Sequence, residues 1–231
     1  MRDRQDVQPA RDGFDGFVNS LAAIGTSLYV GGRFTAYRGV AGSAARLAKL
    51  DLTTGALDTT FSPPGAASNG FDDVVNALAV SGTSLYVAGQ FTSYRGGAST
   101  PQRIAKLDAT TGANDVTFCP EGMGFSGSAE AAVVAGTSLY VGGSFTAYRG
   151  VAGSASRLAK LDLTTGAPDT TFSPPGPGMN GFTSPYAFEN IRAFAVSGSS
   201  LLLCGAFARY RGAPTPRRNA MAVNAVTGAP Q

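Results

Sequence analysis

The sequence has no histidine and no tryptophan, only two cysteines, and few charges: Asp, Glu, Lys and Arg together make up 14% of its 231 residues. Without histidine there is no Ser-His-Asp or Cys-His nucleophile and no histidine-based metal site. A G-x-S-x-G nucleophile elbow is missing as well. No run of about 18 apolar residues occurs, so membrane insertion as an α-helix is not expected. A net charge of +3 without a dense Lys/Arg run argues against a nucleic-acid partner, which needs many phosphate contacts on one face. The N-terminus, MRDRQDVQPARDGF, carries charge but not the apolar run of a secretory signal. A cytoplasmic chain and a chain whose signal has been removed both stay open.

What the sequence does have is repetition. The segment from Gly25 to Gly65 returns from Gly136 with only Arg33/Ser144, Ala45/Ser156 and Leu57/Pro168 changed, and looser copies start at Gly82 and Gly198. A period of roughly 57 residues marks a supersecondary unit that buries its apolar face by stacking on its neighbours. The repeats run approximately 14–65, 71–121, 125–176 and 181–231, and the whole of 1–231 reads as one domain. Cys119 and Cys204 fall at unrelated repeat positions, neither a disulfide framework nor a zinc spacing; both are expected to be unpaired, partly buried thiols.

Within a repeat, apolar residues alternate or cluster in short runs bounded by Gly, Pro and Asn, the pattern of strands. The first repeat predicts strands at 17–24, 27–34, 46–52 and 58–63, with tight turns at IGT and LTTG. The expected fold is therefore all-β: a four-bladed β-propeller with four antiparallel strands per blade. A closed ring avoids an exposed strand edge. The fourth repeat stops before its DTTFSPP segment, while QDVQPARDGF at the N-terminus resembles that segment. Residues 1–13, with a strand near Gln5 to Pro9, are thus expected to complete the last blade. A place in a longer repeat array is the competing reading.

The motif GTSLYVGGxFTxYRG, followed by RLAKLDxTTGAxDTTF, resembles the delta-60 repeat, a β-propeller repeat of bacterial surface and secreted proteins. The resemblance spans almost the whole chain and is weakest in the fourth repeat, where RNAMAVN replaces RLAKLD. It implies a propeller and an extracellular or cell-surface setting, and it supplies no catalytic residues. AKLDLTTG is also similar to quinoprotein propellers, but those close each blade with a tryptophan.

Chemistry-bearing residues fall into three groups. Paired carboxylates flank the LTTG turn (Asp51/Asp58, Asp108/Asp115, Asp162/Asp169); they read as turn caps more readily than as calcium ligands, and Asn224 replaces the aspartate in repeat four. No metal or cofactor is expected; the one G-x-G-x-x-G string, from Gly176, is followed by FTSPY rather than a helix. The Tyr-Arg-Gly triplet recurs, with Arg38, Arg95, Arg149 and Arg211 either forming an anion-binding ring or fastening blade to blade. Where the symmetry breaks is the better guide, because a single ligand is not four-fold symmetric. The first polar position of strand one reads Asn19, Asn76, Glu130, Arg192, facing the mouth of the central channel, where Glu130 and Arg192 either pair or contact ligand. Repeat four adds Arg209, Arg217 and Arg218, and a long loop bearing Tyr186 and Phe188, as a surface for a glycan or acidic peptide.

The leading expectation is a non-enzymatic binding or scaffold module of a bacterial surface or secreted protein, with a glycan or protein as ligand. The alternatives are a polysaccharide lyase or hydrolase using Glu130 and Arg192 with the Tyr-Arg loops, and a unit of a self-assembling fibre or shell.

Overall fold

The computed structural model describes residues 13–61, 69–97, 101–172, 182–183, 190–207, 209–210 and 219–231, with backbone alone at 182, 183 and 209. These residues are all-β, without a helix. The expected strand near Gln5 to Pro9 lies outside them.

Four three-stranded antiparallel sheets follow one another along the chain. The first is β1 (Val18–Ile24), β2 (Ser27–Gly32) and β3 (Leu47–Asp51). The second is β4 (Val75–Ser81), β5 (Ser84–Gly89) and β6 (Ile104–Asp108). The third takes β7 (Ala129–Ala135), β8 (Ser138–Gly143) and β11 (Leu158–Asp162), with the small hairpin β9 (Ala147–Tyr148) and β10 (Val151–Ala152) in between. After the short β12 (Phe182–Thr183), the fourth sheet is β13 (Asn190–Ser197), β14 (Ser200–Ala206) and β16 (Ala220–Asn224), and β15 (Arg209–Tyr210) pairs with β12. Each β1-type strand turns into its partner through two residues. Gly25, at φ 56, supplies the positive φ that a II′ hairpin asks of its first central residue.

The expected fourth strand is a correction in the first three repeats: it is reduced to one isolated bridge, Leu50 to Leu57, Leu107 to Asn114 and Leu161 to Pro168, and the same bridge recurs in repeat four as Val223 to Pro230. Local hydrogen bonding explains the loss. Asp58 Oδ1 accepts from the backbone N–H of Thr60 (3.0 Å) and Phe61 (3.1 Å) and from the Thr60 hydroxyl (2.6 Å), which bends the chain out of extended conformation. Asp115 and Asp169 do the same.

The first strands pack in series, β1 on β4, β4 on β7 and β7 on β13. Between consecutive sheets lie the cores. Tyr29 and Leu47 meet Val75, Leu78, Leu85 and Val87 at the first joint, and Tyr86, Ala88 and Ile104 meet Ala129, Leu139 and Val141 at the second. At the third joint Tyr140 and Leu158 meet Ile191, Leu201 and Leu203. Comparable packing of the fourth sheet on the first is absent among the described residues.

Candidate functional site

At each joint the recurring polar residues are spent on backbone. The hydroxyl of Tyr29 donates to the carbonyl of Ala109 in the next sheet; Tyr86 donates to Leu163 (2.8 Å) and Tyr140 to Ala225. Cross-strand from each tyrosine sits a lysine (Lys49, Lys106, Lys160) that pairs with Asp58, Asp115 or Asp169 at 2.9, 3.0 and 2.9 Å. Burial alone would raise the Asp58 carboxyl, but hydrogen bonds from Thr60 and Lys49 bring it down to about 2. The LTTG carboxylates are turn caps: Asp51 Oδ1 accepts from the N–H groups of Thr53 (3.0 Å) and Thr54 (2.8 Å) and from the Thr54 hydroxyl. Asn224 makes the same turn with Val226 and Thr227.

In the first three repeats the Tyr-Arg-Gly triplet is a tight turn whose two central residues have positive φ, as at Arg38 (49°) and Gly39 (75°), where Val40 N–H donates to Tyr37 O. The tyrosines are buried, and their hydroxyls reach the turn carbonyls of Gly55, Gly112, Gly166 and Gly228. Arg95 donates to the Phe61 carbonyl of the preceding repeat, and Arg149 donates to that of Phe118 at 2.6 Å. These two arginines fasten one repeat to the next. Arg38 is exposed, lies over its own Tyr37 ring at 5.1 Å, and makes no such bond among the described residues.

A recurring lock escaped the sequence reading. Asp15 accepts from the N–H groups of Thr35 and Ala36 (2.7 and 2.8 Å), Asp72 from those of Thr92 and Ser93, and Ser126 from those of Thr146 and Ala147. Its signal was present as Gly-Phe followed by an oxygen-bearing residue, at Gly13-Phe14-Asp15, Gly70-Phe71-Asp72, Gly124-Phe125-Ser126 and Gly181-Phe182-Thr183.

The symmetry-breaking row occupies one structural position. Asn19, Asn76, Glu130 and Arg192 are the extra residues of a β-bulge in β1, β4, β7 and β13, where the pairing register skips. A bulge re-aims its side chain, a device common beside binding sites. The Asn19 amide donates to the Val75 carbonyl at 3.0 Å and that of Asn76 to Ala129 at 3.0 Å, so each hooks the next sheet. Glu130 breaks the series, since a carboxylate has no N–H for the carbonyl of Ile191. It is half-buried, and the next bulge carries the exposed Arg192, whose Nε donates to Asn190 Oδ1 at 3.2 Å. Glu130 and Arg192 do not form an ion pair among the described residues. Arg209 lies on β15; Tyr186, Phe188, Arg211, Arg217 and Arg218 fall outside the described residues.

The cysteine expectation needs one correction. Cys119 is buried, with its thiol pushed up to about 11 by desolvation, whereas Cys204 is exposed on the outer face of the fourth sheet. There a hollow of 460 Å³ opens, lined by residues that include Ala193, Ala195, Leu202 and Ala220.

Residues 138–172, the third sheet from β8 through its Asp169 turn, match the family described as "Domain of unknown function (DUF5122) beta-propeller". That stretch is a β-propeller repeat. Among solved structures the chain is similar to the computationally designed Ika4 protein, at 12% identity and TM-score 0.50, over 92% of this chain and 94% of that one. It is also similar to the computationally designed Ika8 protein, at 12% identity and TM-score 0.49, over 96% of this chain and 62% of that one. At this identity the likeness bears on fold alone. No curated protein matches the sequence.

Proposed function

We propose that the chain is a propeller binding module of the delta-60 kind, from a bacterial surface or secreted protein, and that it takes a polar ligand, a glycan or a protein surface, at the bulge row. The four sheets are its blades. One observation carries the reading: the amide hook made by Asn19 and Asn76 is given up at Glu130 and Arg192. Tyr, Lys, Asp and the Arg95/Arg149 pair are engaged in fastening the sheets, which leaves a carboxylate and a guanidinium on neighbouring bulges without that duty. A carboxylate accepts and a guanidinium donates, so together they suit the mixed hydroxyl and carboxyl pattern of an acidic sugar or a peptide. The bulge backbone holds both on strands, which positions them better than loops would.

An array of neutral and acidic glycans, probed at low and moderate salt, tests this directly. Saturable binding that weakens about tenfold or more in Arg192→Ala, as loss of a charged hydrogen bond would give, supports the site. Binding that is indifferent to both Arg192→Ala and Glu130→Gln rejects it. Turnover of a bound glycan that stops in Glu130→Gln would replace the binding module with the lyase or hydrolase reading.

A further inference from the structure

Among the described residues neither end of the sheet series is covered by another sheet. In the first three sheets the middle strand is buried on both faces from its third residue on; in the fourth, β14 alternates, with Leu201 and Leu203 buried and Leu202 and Cys204 exposed. At the other end β1 exposes Val18 (44%) and Leu21 (60%), whereas the matching residues of the second sheet, Val75 and Leu78, are 0% and 7% exposed. Each end thus shows the half of a joint that the chain builds three times inside itself.

The substitutions in the fourth sheet run against an end that meets water. Terminal repeats that cap an array need a polar outer face. Here the Tyr and Lys paired across the middle of the outer face, Tyr29/Lys49, Tyr86/Lys106 and Tyr140/Lys160, become Leu202/Ala222. Bulk is redistributed rather than added: Cys204 stands where Gly31 and Gly142 do, and Ala220 replaces Leu47 and Leu158.

We propose that the outer face of the fourth sheet is covered by the first sheet of a second copy of this chain, head to tail, continuing the joint that links the four sheets internally. Val18 then faces Cys204 at the position where Val75 faces Gly31 and Ile191 faces Gly142; a Cβ on either glycine would come within 2.5 and 2.6 Å of that side chain, so the joint between copies is wider at Cys204 than the internal ones, with room beside it from Ala220 in place of Leu47 and Leu158. Leu21 enters the hollow beside Leu202 and Ala195. Such a heterologous contact leaves a free face on each copy until the assembly closes on itself, and two copies in a ring satisfy both faces.

Sedimentation velocity over a wide concentration range gives the first reading. The chain sediments as an assembly, Leu21→Arg and Leu202→Arg each dissociate it, and mixing the two variants restores a dimer through their one remaining good joint. Both substitutions fall at exposed positions of the single chain and leave its fold intact. Val18→Cys with the native Cys204, under oxidised glutathione, forms a disulfide between chains that Cys204→Ser abolishes. A monomer at every concentration with Cys204 still free after oxidation overturns the proposal. So does an assembly indifferent to both arginine variants, or a Val18→Cys disulfide within one chain, which would show the chain closing on itself.

Discussion

The third and fourth sheets share a strand order, a bulge position and a turn pattern, yet one is buried on both faces and the other on one. Tyr140 and Lys160 face the joint from the third sheet, and at the same places in the fourth stand Leu202 and Ala222. The backbone plan is therefore robust to side-chain change. What the side chains decide is which neighbour a sheet can take, and whether the joint is held by a hydroxyl reaching across it. A sheet's strands tolerate divergence as long as the face toward the preceding sheet stays apolar, as Ile191, Leu201 and Leu203 are.

The sharpest way to break this contrast is to cut a side chain inside a joint and compare it with one on the open face. Phe118 is fully buried and stands edge-on to Tyr86, with ring centroids 5.4 Å apart. Phe118→Ala should cost about 3–5 kcal/mol in urea unfolding, whereas Leu202→Ala in the dissociated chain should stay within about 1 kcal/mol because that side chain is 44% exposed. Next in size is a matched pair at one repeat position. Gly142→Val drives a Cβ into Ile191 and Phe194 and should destabilise by about 1–3 kcal/mol. Cys204→Val, on the open side, should change the dissociated chain by about 0.5 kcal/mol or less. Equal effects at the two positions would mean that the fourth face is covered within the single chain.

A smaller effect isolates the hydroxyl. Tyr86→Phe removes the bond to Leu163 but keeps the ring, and should cost about 1 kcal/mol. Leu202→Tyr supplies the missing donor to the fourth sheet and should tighten the head-to-tail assembly by a comparable amount, read as a lower dissociation constant.

How far the sequence made this visible depends on whether a feature is local. Strand positions were legible because alternation and turn residues lie within a few positions of each other: 17–24 became Val18–Ile24 and 46–52 became Leu47–Asp51. The turn role of Asp51 and Asn224 was legible for the same reason. The fourth strand was misread because DTTF has strand composition, while the Asp58 side chain competes for the same backbone N–H groups and wins. The bulge at Asn19 could not be read, since its signature is a pairing register between two strands. The Tyr29 bond to the next repeat was invisible, because its partner lies 80 residues away, whereas the recurrence of the Tyr-Arg-Gly triplet had already offered Arg95 as a fastener without naming the Phe61 carbonyl 34 residues away. The row Asn19, Asn76, Glu130, Arg192 was found by comparing repeats, which locates a difference without saying what geometry it alters.

The least costly contrast is in the acid response. The Lys-Asp pairs exist in the first three sheets, and Ala222 removes the lysine from the fourth. Against the opposing effect of burial, hydrogen bonds from Thr60 and Lys49 hold the folded carboxyl of Asp58 at about 2, and Asp115 and Asp169 are likewise lowered. A carboxyl of the unfolded chain titrates near about 4. The folded state therefore binds fewer protons than the unfolded state between these values, and the stabilisation is fully present above about 4 and is lost as pH falls toward about 2. Amide exchange measured across that window should show β3, β6 and β11 losing protection while β16 changes little. Asp58→Asn should reduce the pH dependence of β3 without changing that of β6 or β11, since the amide keeps the turn acceptor but carries no titrating charge; the part that stays belongs to Asp51, whose carboxyl is also lowered by its hydrogen bonds from Thr54 and Thr53. If β16 lost protection in step with the other three, the acid response would belong to the whole series of sheets and not to the pairs within each one.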